Sequence, residues 1–525
     1  MATTPYFVFS PSTVLSALGL LRGPDPTTPT PREDWRTATV DAIIPALNEE
    51  RHIVFCLASL LKQTLRPRRI MIVDDGSTDR TVAIAEAFCS FHGIDLVTIR
   101  RRKPIGKTPT IKRQARELDS DVEFILDADT ILESPNYIER TVQELYQAVG
   151  IASACGTILP LRKKDRKVCA DDEATRRFLA ESSSSQIRVS DGRLHDLASG
   201  VTNLYREVLY LFLQRFVYRG QMVFFGTTIN PVGCAVAYRR KYVQRLFDEF
   251  SPLLGDDLTN SEDIFIGLAM LDEGYRNVHL TDVCARTVEP EVQRLPRQIY
   301  LWSSAFLQSC YYFDALLKSP FKAFKRRWQR RGPWRRSGEP ISQPRPVQLP
   351  IRGAAMLRRP MLATSAGTGA GTQSPVPAGM RFSAVINNGV VDYAPRSEGP
   401  LVRGEDRRVV GEPYRQAFGR ERTETYGRPA GWMLMMSAIE KVFFPTSLVV
   451  MALLRNWYGL TLTVCIETLV GLTVLAIVMK GRRLEYVAKG LAVAPLRYAL
   501  IAFELVTLGR FATDIWFINN RKWRK

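Results

Sequence analysis

What this chain of 525 residues lacks narrows its chemistry before any motif is read. Its eight cysteines, Cys56, Cys89, Cys155, Cys169, Cys234, Cys284, Cys310 and Cys465, never fall in C-x-x-C spacing. Neither a zinc frame nor a disulfide scaffold is therefore expected, and the thiols read as reduced and cytosol-facing. The start carries one apolar patch, residues 6–21, broken by Ser10, Pro11 and Ser12. It has no basic leader and no unbroken apolar centre, so a short interfacial helix or a piece packed on the next domain is expected instead of a cleaved signal. No apolar run long enough to cross a bilayer precedes about residue 437. A net charge of +19 would raise the question of nucleic acid, but no recognition motif accompanies it. Lys and Arg cluster beside apolar segments and in one Pro/Gly-rich stretch, which suits membrane lipids with anionic headgroups and excludes nucleic acid as a partner.

What is present begins at Ala38, where strand and helix patterns alternate. TVDAIIPALNEE, RRIMIVDDGSTD, LVTIRR and VEFILDADT read as strands running into polar loops, and the segments between them have helical period. Such alternation predicts parallel strands joined by right-handed crossovers, an α/β, Rossmann-like sheet. VEFILDADT delivers Asp127 and Asp129 to the carboxyl end of its strand, where open α/β sheets bind ligands. Alternation sends both carboxylates to one side, where they could face a hard cation that also holds a diphosphate. In DDGSTD, Gly76 permits a tight turn and Ser77 or Thr78 can cap a helix, while the acidic groups at the strand edge can accept hydrogen bonds from a base or a ribose.

IIPALNEE (43–50), IVDDGSTD (72–79), DAD (127–129) and SEDIFIG (261–267) occur in the order and rough spacing of glycosyltransferase family 2. The chain resembles the membrane-integrated branch of that family, the cellulose, chitin and hyaluronan synthases, over roughly 40–317 and again 437–525. The resemblance implies a nucleotide-sugar-binding domain of GT-A type followed by transmembrane helices. It places Ala46, Asn48, Glu49 and Asp75 around the nucleotide, Asp127 on the nucleoside side, Asp129 on a divalent cation (Mg2+ or Mn2+), and Lys107 near the phosphates. Where the family often has Asn, this chain has Lys112. The stretch INPVGCAVAYRR (229–240) resembles the small-residue strand under the acceptor, where Gly233 and Cys234 would leave room for a sugar ring.

Two acidic pairs compete for the catalytic base, Asp256 with Asp257 and Glu262 with Asp263. An inverting transferase needs one carboxylate to take the acceptor's proton. The family's spacing to a Gly-Tyr turn, here Gly274 and Tyr275, selects Asp263, with Glu262 supporting and Asp257 in reserve. Gln298 and Trp302 keep the separation of the family's Q-x-x-R-W motif, which implies acceptor binding, but Leu301 stands where its arginine belongs; Arg297 could substitute from the preceding turn.

The expected organisation is an interfacial segment and linker (1–37), a catalytic domain (38–290), an amphipathic interface helix (291–317), a basic, Pro/Gly-rich and largely disordered linker (318–436) and a transmembrane region (437–525). In the last of these, 442–454 and 458–479 form a hairpin, and 491–518 carries Arg497, Glu504, Arg510 and Asp514, with a re-entrant or broken helix expected at Pro495. The resulting expectation is a plasma or bacterial inner-membrane enzyme facing the cytosol. It would move a sugar from a nucleotide diphosphate, expected to be UDP, to a growing polysaccharide. Transfer of one sugar to a lipid carrier or glycolipid, and an inactive membrane scaffold, stand as the alternatives.

Overall fold

The computed structural model describes residues 11–22, 34–147, 150–181, 193–254, 261–331, 386–387, 390–391 and 428–516. Asp256, Asp257 and most of the 318–436 stretch lie outside the described residues. Helix α1 (Pro11–Arg22) is packed along one face and exposed along the other, which carries Val14, Leu18 and Leu21: its Gly19 and Ser16 cross Gly220 so closely that a Cβ on Gly19 would sit 2.4 Å from the Gly220 carbonyl oxygen. Ser12 also donates to Glu440 at 2.6 Å, so the N-terminal helix is wedged between the catalytic domain and the first membrane-length helix.

Four apolar runs, β1 (Val40–Ala46), β2 (Arg69–Asp74), β3 (Leu96–Arg100) and β4 (Val122–Leu126), pair in parallel. Their crossovers are α2 (Ile53–Leu61), α3 (Thr81–Phe91) and α4 (Lys107–Glu117). Beyond the short strand β5 (Thr130–Leu132) and helix α5 (Tyr137–Leu145), the sheet gains β6 (Ile151–Pro160). It then gains β7 (Ala235–Arg239) and β8 (Arg276–Thr287), giving the order β3-β2-β1-β4-β7-β6-β8-β5. β7 runs antiparallel to both β4 and β6, so the sheet is mixed, not wholly parallel. The reversal puts the start of β7 beside the carboxyl end of β4, and the backbone N–H of Asp127 donates to the Cys234 carbonyl at 2.9 Å.

Between β6 and β7 lie α6 (Lys163–Ala170), α7 (Glu173–Glu181), α8 (Arg193–Phe212), a π-helical segment (Leu213–Tyr218) and α9 (Arg219–Phe225). These pack under His279 of β8, whose Nε2 lies 3.0 Å from Gln214 Oε1 and whose ring meets Tyr218 edge-on. Burial, with Arg219 nearby, pushes the His279 imidazole down to about 3 from its ordinary 6.5. A histidine held neutral in the fold takes up a proton only on unfolding, so stability is complete above the unfolded value and falls as pH drops below it. The expected loss from this group is about 2 kcal/mol between about pH 7.5 and 5. Thermal melts of detergent-solubilised protein at the two pH values should show it, with His279→Gln narrowing the difference.

After α10 (Arg240–Leu254) and α11 (Glu262–Asp272), the interface segment forms α12 (Leu295–Tyr312), α13 (Asp314–Leu317) and α14 (Ser319–Arg331). Helix α14 covers part of the stretch expected to be disordered, and presents Phe321, Phe324 and Trp328, at helical spacing, exposed beside exposed Lys322 and Lys325. Three helices are long and apolar enough to cross a membrane, α15 (Pro429–Leu453), α16 (Trp457–Val478) and α17 (Arg483–Trp516). The first starts eight residues before the expected 437, and the third runs unbroken through Pro495, which contradicts the expected break. Four of the ionisable groups within these helices pair with one another: Arg497 with Glu467 at 2.7 Å, and Lys441 with Glu504 at 3.3 Å. Glu504 also accepts from Ser303 at 2.8 Å, which ties α12 to the membrane helices.

Candidate active site

The carboxyl ends of β1, β2, β3 and β4 and the start of β7 meet at one sheet edge, and the expected site residues fall there. The Ala46 carbonyl accepts from Asp75 N–H at 2.8 Å. Asn48 adopts a left-handed φ of 58°, which an asparagine tolerates. Its N–H donates to Ser77 Oγ at 2.9 Å and its Oδ1 accepts from Thr78 N–H at 2.8 Å, lacing the first two loops together. Asp75 is buried and fully engaged: Oδ1 accepts from Arg101 at 3.0 Å and Ile105 N–H at 2.9 Å, and Oδ2 from Gly106 N–H at 2.8 Å. Gly106 makes this turn at a φ of 95°, open to glycine without strain. Asp75 thus holds the loop that starts α4, and the next residue is Lys107.

The Lys107 ammonium has three partners from three elements. It lies 2.6 Å from Asp127 Oδ1 at the end of β4, 2.8 Å from Glu262 Oε1 at the start of α11, and 2.9 Å from the Gly233 carbonyl before β7. Burial opposes its charge, but Asp127 and Glu262 together raise it well above its ordinary value, so the lysine stays protonated. Asp127 is itself raised by burial, against the pull of Lys107.

Asp263 follows Glu262 in the first turn of α11 and is buried. Its Oδ1 accepts from Ser261 Oγ and from Ile264 N–H at 2.8 Å. Although burial works the other way, the Asp263 carboxyl lies below its ordinary value, and the Ser261 hydroxyl, Lys107 and the Ile264 N–H are among the groups that lower it. A Cβ on Gly233 would lie 2.9 Å from Asp263 Cβ and 3.2 Å from its Oδ2. The space left by the missing side chain at 233 is therefore taken up by the Asp263 carboxylate. Cys234 beside it remains partly exposed.

Asp129 Oδ1 accepts from Thr130 Oγ1 at 3.2 Å and Thr287 Oγ1 at 3.3 Å. Burial, with Asp127 and Glu49 close by, pushes its carboxyl up to about 8. Glu49 also lies 2.9 Å from His52 Nδ1. Crowded carboxylates and hydroxyls form an oxygen-only donor set, the kind that suits Mg2+ or Mn2+, and a cation would relieve their mutual repulsion. Among the described residues no group of three or more His, Cys, Asp or Glu forms a metal cage by itself.

Gln298 and Trp302 meet not Arg297, which is exposed, but Arg206 of α8. The Arg206 guanidinium hydrogen-bonds Gln298 Oε1, stacks 4.6 Å over the Trp302 ring, and pairs with Glu289 at 3.5 Å. Glu289 lies two residues past Thr287, the contact of Asp129. Burial, with the charges of Asp127, Asp129 and Glu289 and against Lys107, raises the Cys234 thiol well above its ordinary value. Arg206, Glu289, Ser261 and Thr287 were missed in the sequence reading.

Residues 41–247 match the family model Glycosyl transferase family 2. An N-acetylglucosaminyltransferase of Azorhizobium caulinodans is 24% identical over 263 residues, 49% of this chain and 56% of that protein. Chondroitin synthase of Escherichia coli is 32% identical over 120 residues, 22% of this chain and 17% of that protein. The chain thus spans little more than half the length of the rhizobial relative. Among solved structures, a mannosyltransferase of Pyrobaculum calidifontis in complex with GDP-Man and Mn2+ is 14% identical at a TM-score of 0.43, covering 95% of this chain and 92% of that one. The chain thus carries a glycosyl transferase family 2 domain over residues 41–247, built on a mixed sheet of GT-A type, together with three membrane-length helices.

Proposed function

We propose that the chain is a membrane-embedded, inverting glycosyltransferase that takes a sugar from a nucleotide diphosphate, a UDP-sugar, and extends a polysaccharide on the cytosolic side of the inner or plasma membrane. The observation that carries this reading is the convergence of Asp127, Glu262 and Asp263 on Lys107 at the carboxyl edge of the sheet. Asp263 takes the proton of the acceptor hydroxyl as that oxygen attacks the anomeric carbon, and the diphosphate leaves with the bonding electrons. Its carboxylate is available at neutral pH because the Ser261 and Ile264 hydrogen bonds favour the charged form. A divalent cation at Asp129 would supply charge neutralisation for the departing diphosphate. Lys107 keeps Asp127 and Glu262 from repelling each other and so holds the start of α11 at the end of β4. Ala46, Asn48, Glu49 and Asp75 shape the nucleotide side, Asp75 by fixing the 101–106 loop. Domain limits near those expected from the sequence, with the catalytic unit ending before α12, are part of the same reading.

A single transfer to a lipid acceptor is the second reading. It is favoured by an apolar cavity between α8 and the last two helices, lined by Tyr205, Leu209, Phe212, Leu472, Leu475 and Val493. Membranes carrying the protein, incubated with a panel of radiolabelled sugar nucleotides and Mn2+ or Mg2+, decide between the two. A ladder of oligomers is the expected product. One discrete lipid-sugar band selects the second reading, and no turnover on any donor refutes both in favour of an inactive scaffold.

A further inference from the structure

An acidic side chain sealed under a helix is costly unless it is paired or keeps its proton, and β4 carries one in its middle. Glu123 is entirely buried, and both of its carboxyl oxygens lie without a hydrogen-bond partner. Alternation along β4 puts Glu123, Ile125 and Asp127 on one face, while Phe124 points the other way, edge-on to Tyr137 of α5. Helix α4 joins two parallel strands and so runs antiparallel to them, with Lys107 at its head on Asp127. From Lys107 to Gln114 is about 10 Å of helix, and from Asp127 back to Glu123 about 13 Å of strand, so Gln114 and Glu123 arrive at about one level. Gln114 and Ser120 are buried too, and the Gln114 amide and the Ser120 hydroxyl are likewise without a partner. Arg240, at the head of α10, is committed to backbone: Nε donates to the Ser120 carbonyl and Nη1 to the Ala115 carbonyl at 3.0 Å. In register beside Glu123 stand Asp41 of β1 and Tyr238 of β7. Burial works against the charge of Asp41, but hydrogen bonds from Arg69 and Arg68 hold its carboxyl below its ordinary value. The buried face of α4 adds no titratable group, only Thr108, Thr110, Ile111, Gln114 and Ala115. Glu123 thus has an anion for a neighbour, and burial, against Arg240 and with Asp41, raises its carboxyl well above its ordinary value.

We infer that Glu123 is a positioning residue for the transfer: as a neutral carboxylic acid it closes a buried polar cluster with Gln114 and Ser120 that seats α4 on β4 and so sets Lys107 against Asp127 and Glu262. The inference rests on the transferase reading above. Only the acid form both donates and accepts, which is what an amide and a hydroxyl with unused capacity call for, directly or through an internal water. A carboxylate in the same place would accept only, and it would repel the charge of Asp41. Helix α4 is then pinned to β4 at both ends, by the Lys107–Asp127 ion pair at the reacting edge and by neutral hydrogen bonds at the other.

The test uses full-length protein in detergent and compares wild type with Glu123→Gln and Glu123→Leu. In the fold the acid keeps a proton that the unfolded chain releases above about pH 4.3, so its stability contribution, complete below that value, is lost as pH rises towards its folded value. Glu123→Gln keeps a donor and an acceptor and has no proton to lose. It is expected to melt above wild type by a margin that grows between about pH 5 and about pH 8, and His279, present in both proteins, cancels in that margin. A margin that does not change with pH overturns the inference, and this arm stands even where the leucine variant fails to fold. Transfer measured well below the melting points is expected within about twofold of wild type for Glu123→Gln and at least about tenfold lower for Glu123→Leu, the scale of a misplaced reacting group. Equal rates in the two variants overturn the inference and leave a packing role. Because Glu123 acts through Lys107, adding Glu123→Leu to Lys107→Met should cost less than about threefold beyond Lys107→Met alone, and losses that multiply in full overturn the inference. Absence of transfer by the wild type on every donor counts against the transferase reading, while the melting margin still reads the proton on Glu123.

Discussion

Asp263→Asn is expected to lower the transfer rate by about a thousandfold, the range of a positioned general base, while nucleotide binding stays close to wild type. The substitution is a narrow one structurally. An asparagine Oδ1 can still accept from Ser261 Oγ and Ile264 N–H, so the first turn of α11 keeps its hydrogen bonds. Gly233 leaves room for the side chain without any shift. What is lost is the anionic oxygen that accepts the proton. Single-turnover transfer from radiolabelled donor, with UDP binding measured in parallel, separates the two effects. Retained transfer would move the base to Asp257.

Lys107→Met is expected to cost about a hundredfold or more in transfer and to lower thermal stability, because removing one member of a buried ion-pair set leaves the others uncompensated. Asp127 and Glu262 would face each other without the ammonium that lies 2.6 and 2.8 Å from them. Either one carboxyl takes up a proton or the start of α11 moves away from β4, and both outcomes displace Asp263. Lys107→Arg keeps the charge but presents a planar fork where three partners surround a compact ammonium, so only partial recovery is expected. Steady-state kinetics with melting curves for both variants check this. A loss of less than about threefold for Lys107→Met would contradict this role for the lysine.

The parts of the fold that could be read from the sequence are those where a local pattern decides. Val122 to Leu126 is an apolar run between polar neighbours, and such a run in a βαβ alternation has few alternatives to a central parallel strand. The same logic placed Asp127 and Asp129 at its carboxyl end, whereas Asp75 was placed beside the nucleotide by the family resemblance. The antiparallel insertion of β7 between β4 and β6 was not legible, since its sequence AVAYR is equally apolar in either direction. Direction there depends on how α8 to α9 return the chain. Arg206 was invisible for a related reason. It lies between Tyr205 and Glu207 on α8, and its partners Gln298, Trp302 and Glu289 come from more than 80 residues away. The one available signal was the missing motif arginine at Leu301, which pointed to a gap without saying what fills it. Pro495 misled in the opposite direction: proline usually interrupts a helix, but α17 carries it within a packed bundle.

The central claim is that acidic side chains from separate parts of the chain gather around a cation and a sugar nucleotide at this sheet edge. The most direct measurement is calorimetric titration of UDP into the full-length protein in detergent, with and without Mn2+, for wild type and Asp129→Asn. The account predicts that Mn2+ tightens UDP binding by about tenfold or more in the wild type, by charge neutralisation, and has little effect in the variant. Equal UDP affinity with and without Mn2+ in the wild type, or an undiminished Mn2+ effect in Asp129→Asn, would contradict it.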